Sequence, residues 1–337
     1  MSAVLAALRA ATARRDLTGD EMTAAMEQIA GGDADQIQVG ALLTALRTKG
    51  ETAEEISSAA RVMRRHAKKV DVHGENVIDT CGTGGDGANT FNISTTAAIV
   101  AAAAGASVAK HGNRSASSRC GSADVLEELG VVLGDTEVFE KCLKRARLGF
   151  LFAPHHHAAF KAVGATRAAL GVPTIFNLIG PLANPASARR QIVGVSTEGH
   201  VPVVAEALRA LGTEHALVVH GDGTDEIAVS GTTLVHEVRR STVSAFTLTP
   251  EQLGVSSWRR EDLRGGDASR NAEICREVLA GEPGGPRDAV LANAGAALYV
   301  AGRVKSIREG VTLAARAVDS GSARRTLETV VELSRGA

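Results

Sequence analysis

The first seventy residues carry a helical pattern of apolar positions without a strand signal. Thr18 and Glu21 have the spacing of a capping box ahead of one apolar stripe, and Asp33 is placed to cap the next helix, which should end at Gly50. A further helix is predicted from about residue 52, and one more ahead of these. Four short amphipathic helices indicate a small bundle or a helical face for a partner, so residues 1–70 are predicted to form a helical domain.

From about residue 75 the pattern changes to short apolar strands, glycine-rich turns and helices. Such an alternation predicts an α/β fold, with a mostly parallel sheet and flanking helices beside the smaller all-helical domain. Residues 71–337 are therefore assigned to the α/β domain. Residues 155–185 are partly helical but interrupted by glycine, proline and asparagine, which leaves open whether this stretch rejoins the helical domain.

Composition narrows the classes of function. The 337 residues carry 37 Lys and Arg against 38 Asp and Glu, a net charge of −1, and only 3% are aromatic. This balance argues against a nucleic-acid platform of stacked aromatic rings in a basic groove. The longest run of small apolar residues, 97–106, is about half the length of a membrane-spanning helix, so no membrane partner is expected. Four widely spaced cysteines favour a reducing cytoplasm.

The first candidate for chemistry is a glycine-rich loop after a predicted strand. Gly82, Gly84 and Gly87 fit the G-x-G-x-x-G pattern of dinucleotide-binding proteins. However, the helix does not open at the third glycine, and no acidic residue follows at the distance where a ribose would be bound. Converging backbone N–H groups, followed by hydroxyl and amide side chains up to the helix start near Thr95, suit a polyanion better. An ordinary glycine-rich connection is the alternative.

A basic loop and an acidic loop follow two further predicted strands. The segment 110–124, KHGNRSASSRCGSAD, combines cations, hydroxyls and glycines, as several phosphate groups would require, although alone it would be taken for a solvated basic loop. Asp222, Asp225 and Glu226 concentrate carboxylates on a short loop, which suits Mg²⁺ together with phosphates; an acidic turn is the alternative. Because the carboxyl ends of parallel strands share one sheet edge, we expect the loops to converge there.

Longer motifs carry a family resemblance. The segments are GTGGDGANTFNISTT at 82–96, KHGNRSASSRCGSADVLEELG at 110–130, FAPHHH at 152–157, IFNLIGPLANPA at 175–186, DGTDE at 222–226 and NAGAALYVAG at 293–302. Together with the helical N-terminal segment, they resemble the anthranilate phosphoribosyltransferase family of tryptophan biosynthesis over nearly the whole chain. Pyrimidine nucleoside phosphorylases share the fold and are the nearest alternative. A non-catalytic nucleic-acid-binding relative is a third.

The resemblance implies an enzyme that transfers the phosphoribosyl group of 5-phosphoribosyl 1-diphosphate (PRPP) to the amine of anthranilate, releasing pyrophosphate. It also implies Mg²⁺ dependence and a homodimer formed through the helical domain. Stabilising the leaving diphosphate is the main catalytic task expected. An aromatic amine keeps its lone pair at neutral pH, so no residue is assigned as acid or base.

The resemblance also implies site residues at matching positions. Anthranilate would contact Gly82, Asn113 and Arg167, of which Asn113 and Arg167 suit a carboxylated amine better than a pyrimidine. Magnesium would be held by Ser94, Asp225 and Glu226. The residues expected to bind PRPP are Gly82, Gly85, Asp86, Thr90, Asn92, Ile93, Ser94, Thr95, Lys110, His111, Gly112, Asn113, Arg114, Ser115, Ala116, Ser117, Ser118 and Ser122.

Overall fold

The computed structural model describes residues 2–72, 76–115 and 119–336. The chain opens with the four expected helices: α1 Ala3–Thr12, α2 Gly19–Ala30, α3 Gln36–Lys49 and α4 Ala53–His66. Thr18 and Thr52 each form a capping box. The predicted cap of α3 was wrong by two residues, because Asp35 rather than Asp33 accepts hydrogen bonds, both of 3.0 Å, from the N–H groups of Ile37 and Gln38.

A seven-stranded sheet follows, with the strand order β3-β2-β1-β4-β5-β6-β7. Its strands are β1 Val77–Gly82, β2 Ser107–Gly112, β3 Leu148–Phe152, β4 Arg190–Gly194, β5 His215–Gly221, β6 Thr233–Arg239 and β7 Thr242–Leu248. The first five are parallel, whereas β6 and β7 run antiparallel and close the sheet as a hairpin. The predicted α/β class with a mostly parallel sheet is confirmed.

Further helices lie along or beside the sheet. They are α5 Ile93–Ala103, α6 Ser122–Glu128, α7 Thr136–Ala146, α8 Ala153–His156, α9 Lys161–Leu170, α10 Ile175–Ile179, α11 His200–Ala210, α12 Pro250–Leu253, α13 Ala268–Leu279, α14 Gly285–Val300, α15 Ile307–Asp319 and α16 Ser322–Ser334. Helix α5 begins two residues before its predicted start. Among the described residues, none of the helices has both the length and the apolar character that crossing a membrane requires.

The sheet contributes to three hydrophobic cores, a small one at β1–β3 and two large ones that meet at opposite faces of β5. Side chains alternate along a strand, so on β5 Leu217 and Val219 enter the core beneath α5 and α13–α16, while Ala216 and Val218 enter the other. This second core also contains apolar residues of α1–α4, α10 and α11. The sheet and the helical segment are therefore joined through a common core.

The stretch around residues 155–185 also contacts the helical segment. Helix α9 packs on α3, and α10 packs on α4. We propose from this packing that the helical domain comprises residues 1–70 together with part of 155–185, while the strands and remaining helices form the α/β domain.

Candidate active site at the carboxyl edge of the sheet

Three loops meet at the carboxyl edge, which is the end of the sheet formed by Gly82, Gly112, Gly194 and Gly221. The loop after β1 leads into α5, the loop after β2 leads into α6, and the loop after β5 leads into the β6–β7 hairpin. Strands β1, β2 and β5 are parallel, and their following loops therefore emerge on the same side.

Backbone N–H groups of the first loop face the acidic residues of the third. Gly84 N–H donates to Asp225 Oδ2 at 2.8 Å, and Ser94 N–H, at the start of α5, donates to Glu226 Oε1 at 3.1 Å. Asp225 N–H in turn donates to Asp86 Oδ2 at 3.4 Å. The carboxylates thus accept the same kind of donors that a phosphate group uses at a helix start.

Glycine is required where the strands approach the acidic loop. A Cβ atom on Gly82 would collide with Asp225 Oδ2, and one on Gly194 would collide with the carbonyl oxygen of Asp225. Any side chain at either position would push Asp225 away from Gly84. The glycines at the ends of β1 and β4 therefore fix the depth at which this carboxylate lies.

The electrostatics of the acidic pair favour a cation. Both side chains lie deep among protein atoms although part of each is still reached by solvent. Burial, with Asp86 nearby, raises the pKa of Asp225 to about 7, and burial followed by the charge of Asp225 raises the pKa of Glu226. Two adjacent carboxylates that resist ionising together are stabilised in their charged form by a divalent ion.

The donor set fits Mg²⁺ in particular. Ser94, Asp225 and Glu226 line one small cavity, and their oxygens are the hard ligands that this ion prefers. Within the described ranges, no three His, Cys, Asp or Glu side chains gather closely enough to hold a metal ion. An ion here would need phosphate oxygens and waters to complete its shell, as Mg²⁺ commonly does.

Asp222, which the sequence grouped with this pair, is engaged elsewhere. It accepts a hydrogen bond of 2.7 Å from Ser230 and pairs with Arg260 at 3.3 Å. Its φ of 47° is left-handed, which turns the chain directly after β5. Asp222 shapes the loop, whereas Asp225 and Glu226 face the site.

Side chains rather than backbone pairing hold β1 and β2 together at this edge. The register between the two strands covers only Val77 and Ile78 on β1. Beyond it, the fully buried Asp79 accepts hydrogen bonds from His111 N–H at 3.1 Å and from Asn184 Nδ2 at 2.7 Å. The buried ammonium of Lys110 donates to the carbonyl oxygen of Thr80.

This arrangement places a cation inside the sheet edge. Burial raises the pKa of Asp79 to about 6, against the opposing effects of Lys110 and Asn184, and burial lowers the pKa of Lys110, against the opposing effect of Asp79. Sequence reasoning named Lys110 and His111 but missed Asp79 and Asn184. The available signals were an acid inside an apolar strand and an asparagine within GPLANPA.

The basic loop is braced by one acid. Asp124 accepts hydrogen bonds from Ser115 N–H at 3.2 Å and Gly121 N–H at 2.8 Å, and it pairs with Arg114 at 2.9 Å. Arg114 also pairs with Glu127, so its charge is already balanced. Ser122 Oγ donates to the carbonyl oxygen of Asn113 at 3.2 Å. The predicted residues Ala116, Ser117 and Ser118 lie outside the described residues.

The rest of the first loop is anchored to the start of α13 and to the segment before it. Thr90 forms an isolated bridge with Arg264, and Asn92 Oδ1 accepts from Asn271 Nδ2 at 2.8 Å. Asp86 Oδ1 accepts from Ala88 N–H at 3.0 Å, which tightens the glycine turn. The remaining predicted residues of this loop and of the end of β2 are Gly85, which lies in the turn, Ile93 and Thr95, which are buried at the start of α5, and Gly112.

Arg167 lies on α9, away from the sheet. Its Nη2 donates to Asn177 Oδ1 at 3.3 Å, and its guanidinium lies 5.5 Å from the centroid of the Phe176 ring. Burial lowers the pKa of this guanidinium. Among the described residues, no hydrogen bond joins Arg167 to Asn113 or Gly82. The three residues expected to contact anthranilate therefore do not form one direct cluster.

Comparison with known proteins supplies the family. Models described as the a/b domain and the helical bundle domain of a glycosyl transferase family match residues 74–324 and 2–67. An anthranilate phosphoribosyltransferase from Anaeromyxobacter sp. (strain K) is 57% identical over 317 residues, which cover 94% of each chain.

Solved structures agree over the full length. The anthranilate phosphoribosyltransferase of Thermus thermophilus is 43% identical, with a TM-score of 0.92 over 99% of this chain and 100% of that one. The Saccharomyces cerevisiae enzyme in complex with PRPP and Mg is 28% identical, with a TM-score of 0.89 over 99% and 98%. The yeast enzyme has also been solved with 4-fluoroanthranilate.

Proposed function

The chain belongs to the anthranilate phosphoribosyltransferase family, and from this premise we propose which of its residues perform each part of the reaction. The enzyme transfers the phosphoribosyl group of PRPP to the amine of anthranilate and releases N-(5-phosphoribosyl)anthranilate and pyrophosphate. One observation carries the assignment of the site. The carboxylates of Asp225 and Glu226 lie against the N–H groups of Gly84 and Ser94, so acids and phosphate-type donors meet at a single point.

The diphosphate of PRPP binds between the loops after β1 and β2. The N–H groups around Gly84 and Gly85 and at the start of α5 supply donors, and Lys110 supplies the buried charge. Asp225, Glu226 and Ser94 would hold Mg²⁺, which supplies electrostatic stabilisation of the leaving diphosphate when bound. Asn113 and Ser122 position the second loop through the hydrogen bond between them.

The reaction needs no strong base. The bond between the anomeric carbon and the diphosphate oxygen breaks with its electron pair going to the diphosphate. The lone pair of the amine forms the new bond to that carbon, and one amine proton passes to solvent. The chain stabilises the charge that develops on the diphosphate and holds the amine near the anomeric carbon, which lowers the barrier through proximity. Arg167 would hold the carboxylate of anthranilate.

A direct assay tests the function. Purified protein with PRPP, anthranilate and Mg²⁺ should consume anthranilate and release pyrophosphate in equal amounts. The same protein with a pyrimidine nucleoside and phosphate should release no free base. Release of free base without consumption of anthranilate would instead assign a nucleoside phosphorylase.

The depth of Asp225 tests the site assignment. Gly82→Ala places a methyl group against Asp225 Oδ2, and we expect kcat/KM to fall by roughly ten- to a hundredfold, the loss of one or two charge-assisted contacts. Gly164→Ala is the matched control, since a Cβ there meets nothing within 4 Å. Equal activities for the two variants would contradict the proposed role of the glycine end of β1.

The proposed homodimer uses an apolar groove on the helical domain. Its lining comes from α1, α3 and α9, and includes Leu8, Ala41, Ala45 and Leu170. Ile37 at its margin is 83% exposed, which is unusual for a large aliphatic side chain. A second copy of the chain, related by a two-fold axis, would cover both grooves at once.

The mass in solution tests the dimer. We expect about twice the chain mass of 34.7 kDa for the wild type, and a single-chain mass for Ile37→Glu. Val132→Glu is the control, because Val132 is also exposed but lies outside the groove. A wild-type mass of one chain would contradict the proposal.

A location in the cytoplasm, without nucleic-acid partners, remains part of the proposal. The near-neutral net charge and the burial of all four cysteines support it.

A further inference from the structure

A second cleft lies at the amino edge, the end of the sheet opposite to the three loops. It has a volume of about 630 Å³, within the range typical of small-molecule sites. The starts of β4 and β5, the β6–β7 turn and the chain after α14 surround it. The residues lining this amino-edge cleft are Arg190, Glu214, His215, Arg239, Arg240, Tyr299, Gly302, Val304 and Lys305.

One carboxylate organises the wall of the cleft. Glu237 Oε1 accepts hydrogen bonds of 2.8 Å from Tyr299 OH and from Arg239 Nε, and it lies 2.8 Å from His215 Nε2. Arg239 Nη2 also donates to Tyr299 OH at 2.8 Å. These contacts lower the pKa of Glu237 to about 2, so the acid is fully charged and its charge is used within the wall. The network holds the Arg239 guanidinium in one orientation.

Arg190 forms the floor. Its Nη1 donates to the carbonyl oxygen of Val300 at 2.8 Å, and its Nη2 pairs with Glu214. Its Nε is buried and meets no acceptor. This guanidinium is therefore also held in place.

Two further cations stand at the rim. Arg240 occupies the β6–β7 turn with a left-handed φ of 53°, and its N–H donates to the carbonyl oxygen of Glu214 at 2.9 Å, which ties the turn to the cleft. Lys305 follows α14. In the part of the chain that the structure describes, neither side chain meets a carboxylate.

The charges do not balance. Four cations, from Arg190, Arg239, Arg240 and Lys305, face two carboxylates, from Glu214 and Glu237, which leaves two positive charges around one cleft. Converging arginine guanidiniums bind phosphate oxygens in a fixed geometry. We propose that the amino-edge cleft binds a small diphosphate-bearing anion, at a site separate from the reaction centre on the opposite edge of the sheet.

Calorimetric titration of the full chain with inorganic pyrophosphate tests this site. The buffer contains EDTA, because the cleft needs no metal ion, whereas the carboxylate pair at the other edge does. We expect saturable binding to the wild type, weakened by about ten- to a hundredfold in Arg240→Gln/Lys305→Gln, since two charge-assisted contacts are removed. Lys305→Gln alone should fall between the two.

The control removes the same charge elsewhere. Lys144→Gln/Arg145→Gln changes two exposed cations of α7 and should bind pyrophosphate like the wild type. The cleft variant should keep the wild-type melting temperature and its activity at saturating substrates, because both positions are exposed and lie across the sheet from the acidic pair. Equal weakening in the two double variants, unchanged binding in the cleft variant, or no saturable binding to the wild type would overturn the proposal.

Discussion

The two edges of the sheet carry charge in opposite ways. At the carboxyl edge Asp79, Lys110 and Asp225 lie among protein atoms. Burial raises the pKa of the two acids and lowers the pKa of the lysine, so it favours the uncharged form of each side chain. At the amino edge Glu237 keeps its charge, because arginine, histidine and tyrosine donors surround it and lower its pKa to about 2.

The two edges thus differ in whether their buried acids are stabilised in the charged form by protein groups. Acids that resist ionisation store unfavourable free energy that a cation and a phosphate can relieve, so binding is rewarded. Acids that are already paired stabilise the fold and orient their partners. The edge whose acids lack stabilising partners in the protein is therefore the one expected to bind the cation and phosphate and to perform the reaction.

The largest effect is expected when the two acids of the carboxyl edge lose their charge. Asp225→Asn with Glu226→Gln keeps the size of both side chains but removes their charge. We expect activity to fall by two or more orders of magnitude, since metal stabilisation of a leaving group contributes several kcal/mol and about 1.4 kcal/mol is tenfold in rate. Steady-state kinetics, with calorimetry of PRPP binding in the presence of Mg²⁺, measure the loss.

Asp222→Asn is the matched control for that pair. It lies on the same loop but is held by Ser230 and Arg260, so activity should stay within a few-fold of the wild type. If the double variant kept wild-type turnover and metal-dependent binding of PRPP, the carboxyl edge would not be the reaction centre.

Arg167→Ala tests how far the reaction centre extends beyond the sheet. Loss of a charge-assisted hydrogen bond costs about 1.5–3 kcal/mol, so KM for anthranilate should rise by roughly ten- to a hundredfold while KM for PRPP is unchanged. Arg209→Ala, an exposed arginine of α11, should change neither constant. An unchanged KM for anthranilate with weaker PRPP binding would reverse the assignment.

Acidification acts on the carboxyl edge in two opposing ways. Asp79 and Asp225, whose pKa values are raised, bind protons in the folded chain first and favour folding as the pH falls, whereas the buried histidines oppose it. Burial lowers the pKa of His157 to about 4, and burial with His157 nearby lowers the pKa of His111. In the unfolded chain these histidines are protonated near pH 6.5, so on acidification the unfolded state binds protons before the folded state does. Their contribution to stability is therefore present above that pH and is lost as the pH falls toward 4.

For His157 alone, the loss in the free energy of unfolding between pH 7 and pH 5 is about 2 kcal/mol. Denaturant titrations at both pH values measure it. Because the buried acids contribute with the opposite sign, the test is the difference between two proteins: on going from pH 7 to pH 5 the wild type should lose more free energy of unfolding, or gain less, than His157→Gln. An identical dependence in wild type and variant would show that this imidazole does not contribute.

The smallest effect belongs to the amino edge. Glu237→Gln removes the charged acceptor shared by Arg239 and Tyr299, and we expect the free energy of unfolding to fall by about 1 kcal/mol with kcat unchanged. Glu328→Gln, in an exposed pair with Arg324, should change neither quantity measurably. A clear fall in kcat of Glu237→Gln would contradict the proposal that only the carboxyl edge takes part in the reaction.

Much of the fold was predictable because local patterns encode it. The capping boxes at Thr18 and Thr52 and the glycine-rich turns after apolar runs are local features. The β6–β7 hairpin was not predicted, since β7 is largely exposed and shows no apolar stripe. Asp33 and Asp35 both stand ahead of the same apolar stripe, and only the path of the chain decides which of them caps α3.

The site was predictable only as a set of loops. Motifs brought Gly82, Lys110 and Asp225 to attention, and topology then placed them at one edge. The contact of Asp79 with Asn184 joins residues 105 positions apart, so no local spacing reveals it. Likewise, Arg114 reads as a free phosphate ligand in the sequence, whereas the folded chain pairs it with Asp124 and Glu127.

The core shared by the sheet and the N-terminal helices has a consequence for thermal unfolding. Ala216 and Val218 lie in the core that reaches the N-terminal helices through α11, while Leu217 and Val219 on the same strand lie in the core of the opposite layer. Neither half can lose its order without uncovering the other, so heating should produce a single calorimetric transition in which both halves unfold together. A fragment beginning near residue 71 would keep α11 on β5 but expose the faces of α10 and α11 that pack on α4, and its failure to stay in solution would reflect those bare faces as well as any lost contact between subunits.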